Sequence, residues 1–178
     1  MIKKVYIGID NGVSGTIGIL AEDEAPLFVK TPTKSMQDYC KEKKNITRID
    51  QKALLDLLKY YTDDWYKIHV CMERPMVNST MWRASESAMR AFEVTWAIVE
   101  LLGYPISFCA STDWQRELLP KNLPKKLDKN GKPKGYDPAV LKKASLDIGN
   151  RLFPMFQDVK HPDRDGILIA EWARRHNL

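Results

Sequence analysis

The chain has 178 residues, of which 44% are hydrophobic and 29% charged, with 28 basic against 23 acidic side chains for a net charge of +5 at pH 7. That length and mixture suit one soluble globular domain able to bury its own core, and they exclude a disordered tail. No stretch approaches ~18 apolar residues, and the opening Met1-Ile2-Lys3-Lys4 leads into an apolar run that breaks off at Asp10, so neither a membrane span nor a secretory signal is expected. Cys40, Cys71 and Cys109 are odd in number and unclustered, which points to free thiols in a reducing cytoplasm rather than to zinc or a disulfide framework.

Val5, Ile7 and Ile9 alternate with Tyr6, Gly8 and Asp10, the period of two of a strand that ends on a carboxylate. Asn11-Gly12-Val13-Ser14-Gly15 turns the chain into a second strand, Thr16 to Leu20, and Leu27 to Lys30 makes a third, giving an antiparallel meander. Residues 33 to 47 are polar and read as irregular. Asp50 then caps a helix with Ala53, Leu54, Leu57, Leu58 and Tyr61 at helical spacing, stopping near Thr62-Asp63-Asp64. Ile68, Val70 and Met72 mark a fourth strand that closes on Glu73, where Arg74-Pro75 ends pairing. A long helix runs from about Ser79 to Leu102, closed by Gly103. Pro105 to Cys109 reads as a fifth strand, and Asp113 to Leu119 as a short helix.

Between Lys121 and Lys143 stand eight lysines against two acids, a local charge of +6 that leaves −1 for the remainder. The same stretch holds Pro120, Pro124, Pro133, Pro138, Gly131 and Gly135, so about 120–138 reads as a mobile basic loop and not as a continuous helix or strand. Two readings of it stand side by side: a solvated loop, or a grip for a polyanion such as a phosphate backbone. Pro138 to Leu152 forms a further helix. The last helix, Gly166 to Arg175, follows His161-Pro162-Asp163-Arg164-Asp165.

Asp10 and Glu73 each close a strand, and Asp163 and Asp165 stand before the last helix. If the first and fourth strands are parallel neighbours, both strand-end acids share one edge, and the last helix can bring its acids to the same point. Singly, each is an ordinary loop acid or, for Asp163, a helix cap. Gathered together, carboxylates repel, and such a cluster suits a hard divalent cation held through oxygen. A pair of ions ~3.5–4 Å apart would activate water and stabilise the leaving oxygen of a phosphodiester.

The runs Ile7-Gly8-Ile9-Asp10-Asn11-Gly12, Met72-Glu73-Arg74-Pro75-Met76-Val77-Asn78, Arg90-Ala91-Phe92-Glu93, Trp114-Gln115, Leu141-Lys142-Lys143-Ala144-Ser145, Arg151-Leu152-Phe153-Pro154 and Asp163-Arg164-Asp165-Gly166-Ile167-Leu168-Ile169-Ala170 together resemble the RuvC family of Holliday junction resolvases, most closely its phage-type branch. The resemblance spans nearly the whole chain. It implies one α/β domain over residues 1–178 with a ribonuclease H-like fold, a five-stranded mixed sheet in which strands one to three form the meander and strands four and five run parallel, flanked by helices. It also implies a homodimeric crossover junction endodeoxyribonuclease, cytoplasmic in a bacterial or phage-infected cell. Such an enzyme nicks two opposed strands of a four-way junction, leaves 5′-phosphates, and uses Mg²⁺, two ions per site, with Mn²⁺ as a substitute and no nucleotide cofactor.

Carried over by position, Asp10 would bridge both metals, Glu73 would ligate one, and Asp165 would supply the acid of the last helix. His161 and Asp163 are the two candidates for the fourth position. The long helix would form much of the dimer interface, so Trp82, Met89 and Phe92 could face the partner, although an apolar stripe more often faces the core. Met76 lies where resolvases push a side chain into the junction centre. Lys142 and Lys143 would contact phosphates, with Lys125 and Lys126 among the less specific attractions. Three other readings remain: a nuclease of the same fold acting on flaps or other branched nucleic acid, a non-catalytic DNA-binding module or decayed nuclease, and an actin- or sugar-kinase-like phosphate binder suggested by Gly8 to Thr16, which would need a second lobe.

Overall fold

The structure, a computed structural model, describes residues 2–39, 44–61, 65–127, 129 and 131–178. Cys40 and the helix stop at Thr62-Asp63-Asp64 lie outside the described residues, while Cys71 and Cys109 are buried free thiols. β1 (Lys3–Ile9), β2 (Thr16–Ala21) and β3 (Leu27–Lys30) pair antiparallel, as the alternation predicts. Residues 33–47 are not irregular: β4 (Thr33–Gln37) pairs with β5 (Asn45–Ile49) as a separate hairpin. Of its ten strand residues only Ile49 is buried, so hydrophobic periodicity could not mark it.

Asp50 caps α1 (Gln51–Leu58), its carboxylate accepting the Ala53 N–H at 3.2 Å. β6 (Tyr66–Glu73) runs parallel to β1, and the long helix begins with a 3-10 turn (Ser79–Met81) before α2 (Trp82–Leu101). β7 (Ile106–Cys109) lies parallel to β6, which gives the order β3-β2-β1-β6-β7. This is the mixed five-stranded sheet expected, although its fourth and fifth strands are the sixth and seventh of the chain.

α3 (Ser111–Leu118) follows, and then the basic segment departs from expectation by forming a second hairpin, β8 (Lys125–Leu127) with β9 (Pro133–Tyr136). Its prolines fall where no interior ladder N–H is needed: Pro124 precedes β8 and Pro133 opens β9. Gly131 and Gly135, at φ +75° and +90°, supply left-handed backbone. α4 (Pro138–Leu152) and α5 (Asp165–Arg175) complete the chain. Among the described residues no helix is long and apolar enough to cross a membrane.

Both faces of the sheet are covered. Val5, Ile7, Ile9, Ile17, Ile19, Val70 and Met72 pack with α1 and α2, whereas Tyr6, Leu20, Cys71 and Cys109 pack with α3, α4 and α5. Trp82 and Met89 are exposed on α2. Of the two sides left open for Phe92, the structure shows the core: its ring lies 5.7 Å from Trp96 and 5.5 Å from Phe108, so it joins an aromatic cluster that covers the sheet.

On the α5 face, Gly8 of β1 sits opposite Gly18 of β2. A Cβ on Gly8 would stand 2.2 Å from the Ala170 nitrogen, and one on Gly18 would stand 2.2 Å from the Ile167 Cα. The paired glycines form a trough in which the helix backbone lies directly on the strand backbone. Gly18→Ala should therefore cost at least about 1–3 kcal/mol, because the clash is with backbone that cannot turn aside. Denaturant unfolding checks it, and an unchanged midpoint would contradict the close approach.

Candidate metal centre

β1 and β6 pair with Ile9 level with Met72, which brings Asp10 level with Glu73 at the edge where both strands end. The Asp10 N–H donates to the Thr16 carbonyl at 2.9 Å, and the Thr16 hydroxyl accepts the Gly166 N–H at 3.0 Å. One buried threonine thus ties the end of β1 to the first turn of α5. One carboxylate oxygen from each of Asp10, Asp163 and Asp165 lies within 4.8 Å of the other two. Glu73 stands beside this trio, its Oε2 accepting the Nε1–H of fully buried Trp114 at 2.8 Å.

α4 contributes two groups from one face. The Lys142 ammonium lies 3.5 Å from Asp163 Oδ2, and the Ser145 hydroxyl donates to Asp165 Oδ1. Of the two candidates for the fourth position, Asp163 joins the trio and His161 stands behind it. The His161 Nδ1 is 3.2 Å from both the Asp163 Oδ1 and the Asp163 carbonyl oxygen, with its ring edge-on to Phe28. Nor is Asp163 the helix cap, since Arg164 occupies that position without a side-chain capping bond.

Arg164, at 0% exposure, is the largest buried charge near the site. Its guanidinium donates to the carbonyls of Phe156 (2.7 Å), Val159 (3.0 Å), His161 (3.3 Å) and Asp163 (2.9 Å) and to Asn150 Oδ1 (3.0 Å). These bonds satisfy a buried cation and at the same time shape the 156–163 loop that presents Asp163. Gly149 makes room for it, because a Cβ there would meet the Arg164 Cβ at 2.3 Å.

The predicted DNA contacts fall in three places. Lys142 reaches the acids. Lys143 is exposed beside it on α4, while Lys125 and Lys126 are exposed on the β8–β9 hairpin, the former 5.9 Å from the Tyr136 ring centroid. Met76, 78% exposed, rides on the loop beyond Glu73 that the Ser85 hydroxyl anchors through both the N–H and the carbonyl of Asn78.

Thr16, Trp114, Ser145 and Arg164 are supporting residues to which sequence reading assigned no role. Ser145 carried a signal, standing three positions after Lys142 and hence on the same helix face. Trp114 carried a weaker one, since a buried indole N–H needs an acceptor. Nothing local marks Thr16.

Burial comes first among the forces on the acids. It pushes the Asp10 carboxyl well above its ordinary 3.8, and the charges of Asp165, Glu73 and Asp163 push it further, against a small opposing pull from Lys142. Asp165 is pushed up to about 7 by burial and by Asp163, with the Ser145 hydrogen bond and Lys142 opposing. Glu73 is raised by burial, partly offset by the Trp114 hydrogen bond. The N-terminus of α5 eases this repulsion in part. A divalent cation would ease far more of it, and an all-carboxylate donor set fits hard ions such as Mg²⁺ or Mn²⁺.

Two solved structures share this architecture. Thermus thermophilus RuvC in complex with a Holliday junction substrate aligns over 99% of this chain and 95% of its own, with a TM-score of 0.55 and 11% sequence identity. A second Thermus thermophilus RuvC structure aligns over 97% and 96%, with a TM-score of 0.53 and 11% identity. The fold is therefore the one these RuvC structures have. No protein-family model matches the chain, and no curated protein matches it by sequence.

With its carboxyl at about 7 when folded against an ordinary 3.8, Asp165 binds more protons folded than unfolded between those values. Its contribution to stability is full below about pH 4 and is lost as pH rises through 7. Melts in EDTA should show Tm falling from pH 5 to pH 8, Asp165→Asn should flatten that fall, and added Mg²⁺ should reverse it. A Tm that climbs over the same range would contradict the raised carboxyls.

Proposed function

We propose that this chain is a divalent-metal-dependent endonuclease of the RuvC type, nearest its phage branch, that resolves four-way DNA junctions by paired nicks leaving 5′-phosphates. The observation that carries the reading is the trio of Asp10, Asp163 and Asp165 within 4.8 Å of one another at the sheet edge, with Lys142 3.5 Å from Asp163. Mg²⁺ or Mn²⁺, two ions when fully loaded, would supply Lewis-acid activation of the phosphodiester and a water made acidic enough to attack it.

The chain's own residues divide the remaining work. Asp10, whose carboxyl feels the charges of Asp165, Glu73 and Asp163 alike, would be shared by both ions. Trp114 holds the Glu73 carboxylate and Ser145 holds that of Asp165, so neither must reorient when a phosphate arrives. His161 acts by holding Asp163 rather than by touching the reacting atoms. Lys142 draws the scissile phosphate toward the acids, while Lys143, Lys125 and Lys126 grip the neighbouring backbone. Exposed Met76 enters the junction centre, where stacking is weakest. Two copies paired through the side of α2 that bears Trp82 and Met89 would set two sites against opposed strands.

The deciding experiment incubates the protein with a synthetic four-way junction, a flap and a nicked duplex, with and without Mg²⁺. Symmetric nicks in the junction, sealable by ligase and dependent on Mg²⁺, are expected. Preferential cutting of the flap would favour the related nuclease, and tight ATP binding without DNA cleavage would overturn the reading.

Asp10→Asn, Glu73→Gln and Asp165→Asn should each retain junction binding and lose more than about 100-fold in cleavage rate, beyond what changes behind the ligands cost. Gel-shift and cleavage assays on one preparation separate the two properties, and a variant that still cuts leaves the ligand set. Junction affinity should also fall steeply with salt, since about six neutralised phosphates at −0.9 each give a log–log slope near −5. A flat salt response would remove the lysine hairpin from the interface.

A further inference from the structure

A cleft of about 270 Å³ opens between α3, α4 and the basic hairpin, lined among others by Gln115, Arg116, Leu119, Lys121, Tyr136 and Leu141. Two of these residues are chain neighbours of groups that touch the acids. Gln115 follows Trp114, which donates to Glu73, and Leu141 precedes Lys142, which lies 3.5 Å from Asp163. The cleft is thus joined to the acid cluster through both of the helices that support it.

Its chemistry has three parts. Leu119, Leu123 and Leu141 give an apolar surface, Gln115 gives an amide that both donates and accepts, and Arg116 and Lys121 give two cations with no carboxylate among the described lining residues. Tyr136 adds an aromatic ring at the mouth, with the Lys125 ammonium 5.9 Å from its centroid. Apolar surface and a ring suit the faces of a nucleobase, a neutral amide suits its hydrogen-bonding edge, and the cations suit its phosphate.

Resting on the nuclease reading, we infer that this cleft takes one nucleotide of the substrate strand, unstacked from its neighbours, and that Gln115 reads the edge of its base. A nucleotide near a branch point loses less stacking on extrusion than one inside a duplex, so such a site selects branched DNA as well as sequence. The acid cluster is blind to sequence, because its ligands face only phosphate oxygens. Base preference at the cut would therefore come from Gln115, and Tyr136 would supply affinity.

The test uses a library of four-way junctions with randomised sequence at the exchange point, scored twice: the bound fraction in Ca²⁺ and the cut fraction in Mg²⁺. The full chain is compared with Gln115→Ala, Tyr136→Ala and Tyr136→Phe, each checked by thermal melting with and without Mg²⁺. The wild type should enrich a base at one position, Gln115→Ala should reduce that enrichment about tenfold while the Mg²⁺-induced shift in Tm is kept, and Tyr136→Ala should weaken binding about tenfold. Tyr136→Phe, which retains the ring, should bind as the wild type does. If Tyr136→Ala disturbs the hairpin, the Gln115 variant decides alone, being a half-exposed helix position.

A wild type that enriches no base in either fraction overturns the inference, as does a Gln115→Ala profile within twofold of the wild type. A protein that enriches bound sequences but cuts none fails the nuclease reading while leaving the cleft occupied, so the two failures read differently.

Discussion

The backbone of α5 rests directly on the backbones of β1 and β2 at Gly8, Gly18 and Gly166, and the approach of Asp165 to Asp10 follows from that contact. Gly8 faces Gly18 across the strand pair, Gly166 fits against the Thr16 carbonyl, and the Thr16 hydroxyl takes the Gly166 N–H. A helix held off by ordinary side chains would stand several ångströms further away, roughly the ~10 Å of layer-on-layer packing. Asp165 would then miss Asp10. Ile167, Leu168, Ile169 and Ala170, all wholly buried, supply the apolar burial that holds the first turn of the helix in place against the repulsion of the acids it carries.

That repulsion is stored deliberately at one point. The desolvated carboxyls of Asp10 and Asp165, held within 4.8 Å of each other and of Asp163, oppose folding at neutral pH, and the surrounding structure over-determines their positions. Trp114, Ser145 and His161 each hold one carboxylate by a hydrogen bond or close polar contact. Arg164 works one layer further out. Its guanidinium hydrogen bonds to main-chain carbonyls and Asn150, while its charge and that of Asp163 favour each other.

The charges of the chain are sorted by burial. The segment from Lys121 to Lys143 carries +6, and Lys125, Lys126, Lys142 and Lys143 are exposed on a two-stranded hairpin and the start of α4, whereas the acids of the centre are desolvated. Exposed lysines act at the range of the ionic atmosphere and fade with salt, while buried acids act over a few ångströms and do not. In the proposed reaction the first set governs attachment and the second governs cutting. Lys142 is the one residue that belongs to both.

Periodicity was enough to mark the helices and the five sheet strands, because each buries an apolar face against the core and the pattern of burial is written locally. Asp10 and Glu73 were legible for the same reason: each stands at the end of an apolar alternation. The β4–β5 and β8–β9 hairpins were not, since one buries a single strand residue and the other is closed by glycine geometry among lysines and prolines. Phe92 was left between partner and core because a helical stripe does not say which neighbour covers it, and here Phe108 from β7 does. The choice between His161 and Asp163 could not be made locally either, because both lie within a few residues of the same helix. In the structure Arg164, bonded to carbonyls at 156, 159, 161 and 163, folds the loop so that a carboxylate oxygen of Asp163 lies within 4.8 Å of those of Asp10 and Asp165 while His161 contacts Asp163. Sequence alone therefore determined which residue types and which chain segments could form the centre, since those depend on local pattern. Only the tertiary structure decided which carboxylates meet and what holds them, because those depend on contacts as far apart as the 150 residues that separate Thr16 from Gly166.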